Sequence, residues 1–216
     1  MSNPVLDSIR RSLGRTAQVT SPQGAPTGPR PAIYPSRQSG TTDTEIQLFF
    51  DELKKLSGVG QRLAPGSIAE ALKTLVAEND IHRATVWDTL HLQQLQITEH
   101  LAALGVELVS PTAEKHEMAL CDLGITEADY LLPETGTIVL HSSAEMPRAV
   151  SLLPRVHLAI VRPEMLRPDM HQVFTKAKDS NYLAFITGPS RTADIELTTT
   201  LGVHGPKILF VWMLER

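Results

Sequence analysis

The chain has 216 residues, 42% hydrophobic and 20% charged, enough apolar material for one full-sized domain that needs no disulfide or metal to fold. A single cysteine, Cys121, excludes an internal disulfide, and it excludes a four-cysteine iron–sulfur cluster or structural zinc site made by this chain alone. The formal net charge of −4 argues against a general nucleic-acid binder, and the longest late apolar run, residues 208–214, is too short to span a membrane, so a cytoplasmic protein with small-molecule or protein partners is expected.

Residues 1–40 hold six of the 15 prolines and five arginines against one acid, Asp7, which leaves −8 for residues 41–216. Within them, residues 2–13 place Val5, Leu6, Ile9 and Leu13 at helical spacing, and residues 14–40 are too poor in apolar side chains to offset the entropy of ordering. The predicted organisation is therefore a short helix on a Pro/Gly-rich linker over 1–40, followed by a single domain over 41–216. The arm either docks on something or packs on its own domain.

From Thr41 the chain alternates. Residues 44–56 carry an apolar stripe of Ile46, Phe49, Phe50, Leu53 and Leu56 and predict a helix, as do residues 67–77. A short strand over 84–87, a helix over 97–104 stopped by Gly105 and a strand over 106–109 follow. Further strands are predicted over 137–140, 156–161, 183–186 and 208–214, with helical stretches at 147–153, 168–177 and 192–201. This rhythm implies an α/β fold, a Rossmann-like, mainly parallel sheet flanked by helices. Ligands of such sheets bind beyond the carboxyl ends of the strands, so the loops there are where chemistry is expected.

Three segments carry candidate chemistry. In Phe185-Ile-Thr-Gly-Pro-Ser-Arg-Thr-Ala-Asp-Ile-Glu196 a strand ends, turns through Gly188-Pro189 and is predicted to open a helix at Ser190. Its free N–H groups and dipole would favour an anion, with Arg191 as a bidentate clamp; Ser190 equally suits a plain N-cap, with Asp194 supporting the first turn. In Pro133-Glu134-Thr135-Gly136-Thr137 a carboxylate and hydroxyls precede a strand, an arrangement that fits a general base or ordering group and also fits a satisfied turn. Third, His204 lies in the Gly/Pro-rich loop Gly202-Val-His-Gly-Pro206, placed to shuttle a proton or to serve structurally. No histidine spacing supports a metal site, and Gly58-Val-Gly60 follows a helix, which argues against a dinucleotide fingerprint.

Laid side by side, these segments resemble the lactate utilization protein C family, whose single domain is called the LUD domain. The resemblance rests on Gly124-Ile-Thr-Glu-Ala-Asp129-Tyr, Glu134-Thr-Gly136-Thr, Ser151-Leu-Leu-Pro154 with Val156-His157, and above all Thr187-Gly-Pro-Ser-Arg-Thr-Ala-Asp-Ile-Glu196 followed by Gly202-Val-His-Gly-Pro206, and it spans residues 41–216. It implies a fold related to the ribose-5-phosphate isomerase, glucosamine-6-phosphate deaminase and CoA-transferase group. It also implies a role in bacterial oxidation of L-lactate to pyruvate, beside cysteine-rich and iron–sulfur partner proteins that carry the clusters, this chain binding no cofactor alone.

The resulting expectation is an accessory subunit with a pocket for a small anion such as lactate or pyruvate. Arg191 and the N–H groups near Ser190 would clamp the carboxylate, Glu134 and His204 would handle protons, and Thr135, Gly136, Thr187, Gly188 and Asp194 would complete the pocket. An independent isomerase or transferase acting on a sugar phosphate or acyl-CoA, and a non-catalytic interaction module docking through residues 1–40, are the alternatives.

Overall fold

The apolar runs that read as strands become the middle of a sheet. In the computed structural model, which describes residues 37–177, 182–193 and 199–215 together with Ser8 and Ser12, β7 (Val156–Val161) and β11 (Ile208–Leu214) lie side by side, and every residue of β7 is buried. A strand covered on both faces has no solvent side to mark with polar residues, which is why β11 reads as an unbroken hydrophobic stretch and β7 as one interrupted only by His157. The other expected strands are β2 (Arg83–Val86) and β3 (Glu107–Val109). Two were not foreseen: β1 (Val59–Leu63), an edge strand with four of five residues exposed, and β4 (Leu123–Glu127), whose Gly124, Thr126 and Glu127 break the apolar pattern. Together they form a wholly parallel six-stranded sheet in the order β1-β11-β7-β4-β2-β3. From β2 the chain moves outward to β3 and then returns past β2 to β4, so the winding reverses between β2 and β4.

Helices cover this sheet through the stripes visible in the sequence. Helix α1 (Thr42–Lys55) is capped by Thr41, whose hydroxyl accepts from the Thr44 N–H, and it buries Ile46, Phe49 and Leu53. Phe49 and Leu53 are completely buried, and each contributes about 1.5–3 kcal/mol relative to an exposed side chain. Helix α2 (Ile68–Glu78) buries Ile68, Leu72 and Leu75. The short α3 (Leu90–Gln94) leads into α4 (Ile97–Ala103), which ends before Gly105 at a φ of +79°. Three short helices follow: α5 (Lys115–Met118), α6 (Ala149–Leu152) and α7 (Met170–Lys176), the last capped by Asp169.

Beside the parallel sheet stands an antiparallel one, β5 (Tyr130–Leu132), β6 (Thr137–His141) and β8 (Leu183–Ile186), in the order β5-β6-β8. The helix expected over 192–201 is not what the described residues form. Residues β9 (Arg191–Ala193) and β10 (Thr199–Leu201) instead pair antiparallel, Thr192 opposite Thr200, with 194–198 outside the described residues. Cross-strand pairing of β-branched threonines outweighs the weak helical spacing of this segment. The predicted N-terminal helix and linker lie outside the described residues through residue 36, apart from Ser8 and Ser12.

Candidate functional site

The pairing of β6 with β8 decides what the first two motifs do. Ile138 lies opposite Ile186, so the residues just before and after them, Thr137 and Thr187, face each other with hydroxyls 2.8 Å apart. Thr135 extends the chain, its hydroxyl 2.7 Å from that of Thr137, so three hydroxyls from segments 50 residues apart form one relay. Two turns flank it at positive φ, Gly136 at +57° and Gly188 at +89°. A Cβ on Gly136 would stand 2.5 Å from the Leu53 nitrogen, and one on Gly188 would stand 3.0 Å from the Leu56 Cβ, so both turns press on the carboxyl end of α1.

The third motif closes over the first. The Ser190 N–H donates to the Pro206 carbonyl at 2.9 Å, and the Gly202 N–H donates to the Ser190 carbonyl at 2.9 Å. Between them opens a cavity of about 430 Å³ whose polar wall is Thr187, Ser190, Arg191, His204 and His157, with Ser151 at its side. His157 and Leu209 are the second residues of β7 and β11, so this cavity sits at the amino ends of the parallel strands. That corrects the expectation of a site beyond the carboxyl ends. A second correction concerns the anion-binding helix start: Ser190 opens a strand ribbon, and its N–H is already spent on Pro206.

Each expected residue can now be placed. Thr187, Gly188, Ser190, Arg191 and His204 line the cavity together. Thr135 and Gly136 stand behind Thr187 through the hydroxyl relay and the α1 contact. Glu134 does not line this cavity; its half-exposed carboxylate pairs with Arg37 at 3.3 Å. Asp194 lies outside the described residues. Arg191 is exposed and spends one nitrogen on the Leu56 carbonyl and on Ser57 Oγ at 3.3 Å, a cation set against the negative end of α1. The rest of its guanidinium remains at the cavity rim.

His157 was named in the sequence without a role. It is 1% exposed, its Nε2 lies 2.9 Å from Thr126 Oγ1, and its Nδ1 has no partner among the described residues. Burial pushes its pKa down to about 3, so the ring is neutral at physiological pH. The signal was present, since a lone imidazole inside the run Val156–Val161 has nowhere to go except the interior. Arg37 and Glu45 were missed for a different reason. Arg37 binds the Glu45 carboxylate through both Nη atoms while its own N–H reaches Asp169 at 3.1 Å, pairings that only the fold creates.

The LUD domain model matches residues 41–214. Lactate utilization protein C of Halalkalibacterium halodurans is 30% identical over 93% of this chain and 92% of its own length. The chain belongs to the lactate utilization protein C family. Lactate utilization protein C of Bacillus velezensis is 29% identical over 98% of this chain and 95% of the relative, so members of the family match it almost end to end. A DUF162 family protein from Deinococcus radiodurans shares the fold, with a TM-score of 0.64 at 20% identity over 82% of this chain and all of the other. In this family member no described helix is long and apolar enough to cross a membrane.

Proposed function

We propose that this protein is a cytoplasmic component of lactate utilization that binds a small carboxylate, lactate or pyruvate, in the cavity between the Thr187–Arg191 turn and the 202–206 loop. The observation that carries this reading is the convergence of Thr187, Ser190, Arg191 and His204, from motifs separated in the chain, on one concavity of about 430 Å³. The names of the relatives supply the substrate class. In this reading Arg191 meets the carboxylate, the hydroxyls of Thr187 and Ser190 hold its second oxygen, and exposed His204 exchanges a proton with solvent. The neutral His157 ring forms a floor that adds no charge.

Oxidation of lactate to pyruvate releases two electrons and two protons. A chain with one cysteine cannot ligate a four-cysteine cluster, so the electrons pass in this proposal to iron–sulfur and cysteine-rich partner proteins. Calorimetric titration of the wild type and Arg191→Ala with L-lactate and pyruvate tests the pocket. Binding of one of them, weakened at least about tenfold by the substitution, is expected for a charge-assisted contact. Binding unchanged in Arg191→Ala would remove the clamp assignment.

A further inference from the structure

The motif Gly124-Ile-Thr-Glu-Ala-Asp129 lines no part of the cavity described above, touching it only through the Thr126 hydroxyl that holds His157. It leads to the opposite end of the sheet, where a second cavity of about 260 Å³ opens at the carboxyl ends of β2, β4 and β7. This is the place where the winding reverses between β2 and β4, and connections that leave two neighbouring strands in opposite directions leave a crevice between them. Along β7 the two cavities are about 17 Å apart, five residues at ~3.3 Å each from His157 to Arg162.

Glu127, the last residue of β4, forms the acidic wall. Its carboxylate is only 15% exposed and is fixed from two other elements: Thr89 Oγ1, just after β2, donates to it at 2.5 Å, and His91 Nδ1, on α3, at 2.7 Å. Those bonds occupy two of roughly four acceptor positions on a carboxylate, so an immobilised acid keeps room for another donor. Two arginines line the same cavity. Arg162 brings Nη2 within 4.0 Å of Glu127, and Arg167, held over the Tyr130 ring at 5.1 Å, donates Nη1 to the Glu164 and Leu166 carbonyls. In both, the buried Nε has no partner among the described residues, although folded proteins rarely leave a buried donor unmet. The apolar side is Trp87, whose indole N–H is anchored to the Pro147 carbonyl at 3.1 Å.

We propose that this cavity binds a small carboxylate bearing a hydrogen-bond donor, hydroxyl or ammonium, on the carbon beside the carboxylate. Guanidinium forks match a carboxylate, the open acceptor sites of Glu127 match the neighbouring donor, and Trp87 covers a short alkyl group. The volume equals about nine water molecules, which suits a ligand of a few carbons. Asp129, whose carboxyl burial pushes up and which accepts the His141 N–H at 2.6 Å, lies beside Glu127 on the same wall. The site stands whether or not the cavity around Arg191 binds anything.

The test follows the two tryptophan indoles by proton–nitrogen correlation spectra while L-lactate, L-alanine and propionate are added to the full-length protein. All three are three-carbon carboxylates, and propionate lacks the donor. Saturable movement of the Trp87 signal by lactate or alanine, at least about tenfold tighter than by propionate, is expected. The ligand that saturates first identifies the donor as hydroxyl or ammonium. Arg162→Ala should weaken this response at least about tenfold, Glu127→Gln should erase the preference over propionate, and Arg191→Ala should leave it unchanged. Should Glu127→Gln unseat Thr89 and His91 and unfold the protein, Arg162→Lys, which keeps a charge but loses the fork, should still weaken binding. No saturable movement of Trp87, equal binding of propionate, or loss of the response in Arg191→Ala would each overturn the proposal.

Discussion

His157 makes the protein sensitive to mild acid in a way that can be worked out. An unfolded histidine titrates near 6.5, whereas burial holds this ring at about 3. Between those values the unfolded chain takes up a proton that the folded chain refuses, so lowering the pH favours unfolding. At pH 5 the unfolded side gains about 2 kcal/mol from this residue, 1.5 pH units at ~1.36 kcal/mol each, and almost none at pH 7. For a chain of this size that corresponds to a fall of about 4–8 °C in melting temperature. The assay is a series of urea melts from pH 7 to pH 5 on the wild type and His157→Gln. The substituted protein starts less stable, having lost packing in the core, but its stability should fall by about 2 kcal/mol less over the same interval. The seven other histidines are common to both proteins, so their contribution cancels in the comparison. Parallel curves for the two proteins would refute the claim that the ring is neutral in the fold.

Gly136→Ala should cost about 2–4 kcal/mol, because a side chain at φ +57° is strained and its Cβ meets the Leu53 backbone; thermal melting reads the loss, and a change within half a kcal/mol would contradict the geometry. Thr187→Val removes the far end of the hydroxyl relay and should cost about 1 kcal/mol in a urea melt, while also weakening carboxylate binding in the cavity it lines. Glu45 is held below the usual carboxylate range by the Arg37 guanidinium, with help from the Gly40 N–H and against burial. Its contribution is complete above the unfolded carboxylate value and disappears as the pH falls through the lowered folded one, so Glu45→Gln should flatten the acid limb of the stability profile below about pH 4.3.

Where the sequence spoke through apolar runs, the elements came out at their true bounds: β7, β8 and β11 coincide with the runs 156–161, 183–186 and 208–214, and the stripe on α1 marks its buried face. It was silent about β1, since an edge strand of Val-Gly-Gln-Arg-Leu shows water most of its side chains, and about β5, which is three residues long. The ribbon of β9 and β10 was misread because the segment carries apolar residues at near-helical spacing, while the pairing partner that decides the matter comes from the same stretch. Two of the three motifs, around 187–191 and 202–206, line the cavity around Ser190, yet neither tells on which end of the sheet it lies. That depended on β6 and β8 forming a separate antiparallel sheet, which no local pattern reveals. Likewise, nothing near Arg191 in the sequence says that its guanidinium reaches back to Leu56.

The carboxyl end of α1 ties these pieces together. Gly136 rests on Leu53, Gly188 on Leu56, and Arg191 on Leu56 and Ser57, while the amides of Leu56, Ser57 and Gly58 fold back onto the Leu53 and Lys54 carbonyls. Opening that turn would release both glycine loops and the arginine at once, so helix end and cavity rim open and close as one cooperative unit. The loops therefore could not be grafted onto another scaffold without the helix. A ligand that quiets the Gly188 turn would also be felt at a distance from itself, as slower amide exchange at Leu56, Ser57 and Gly58.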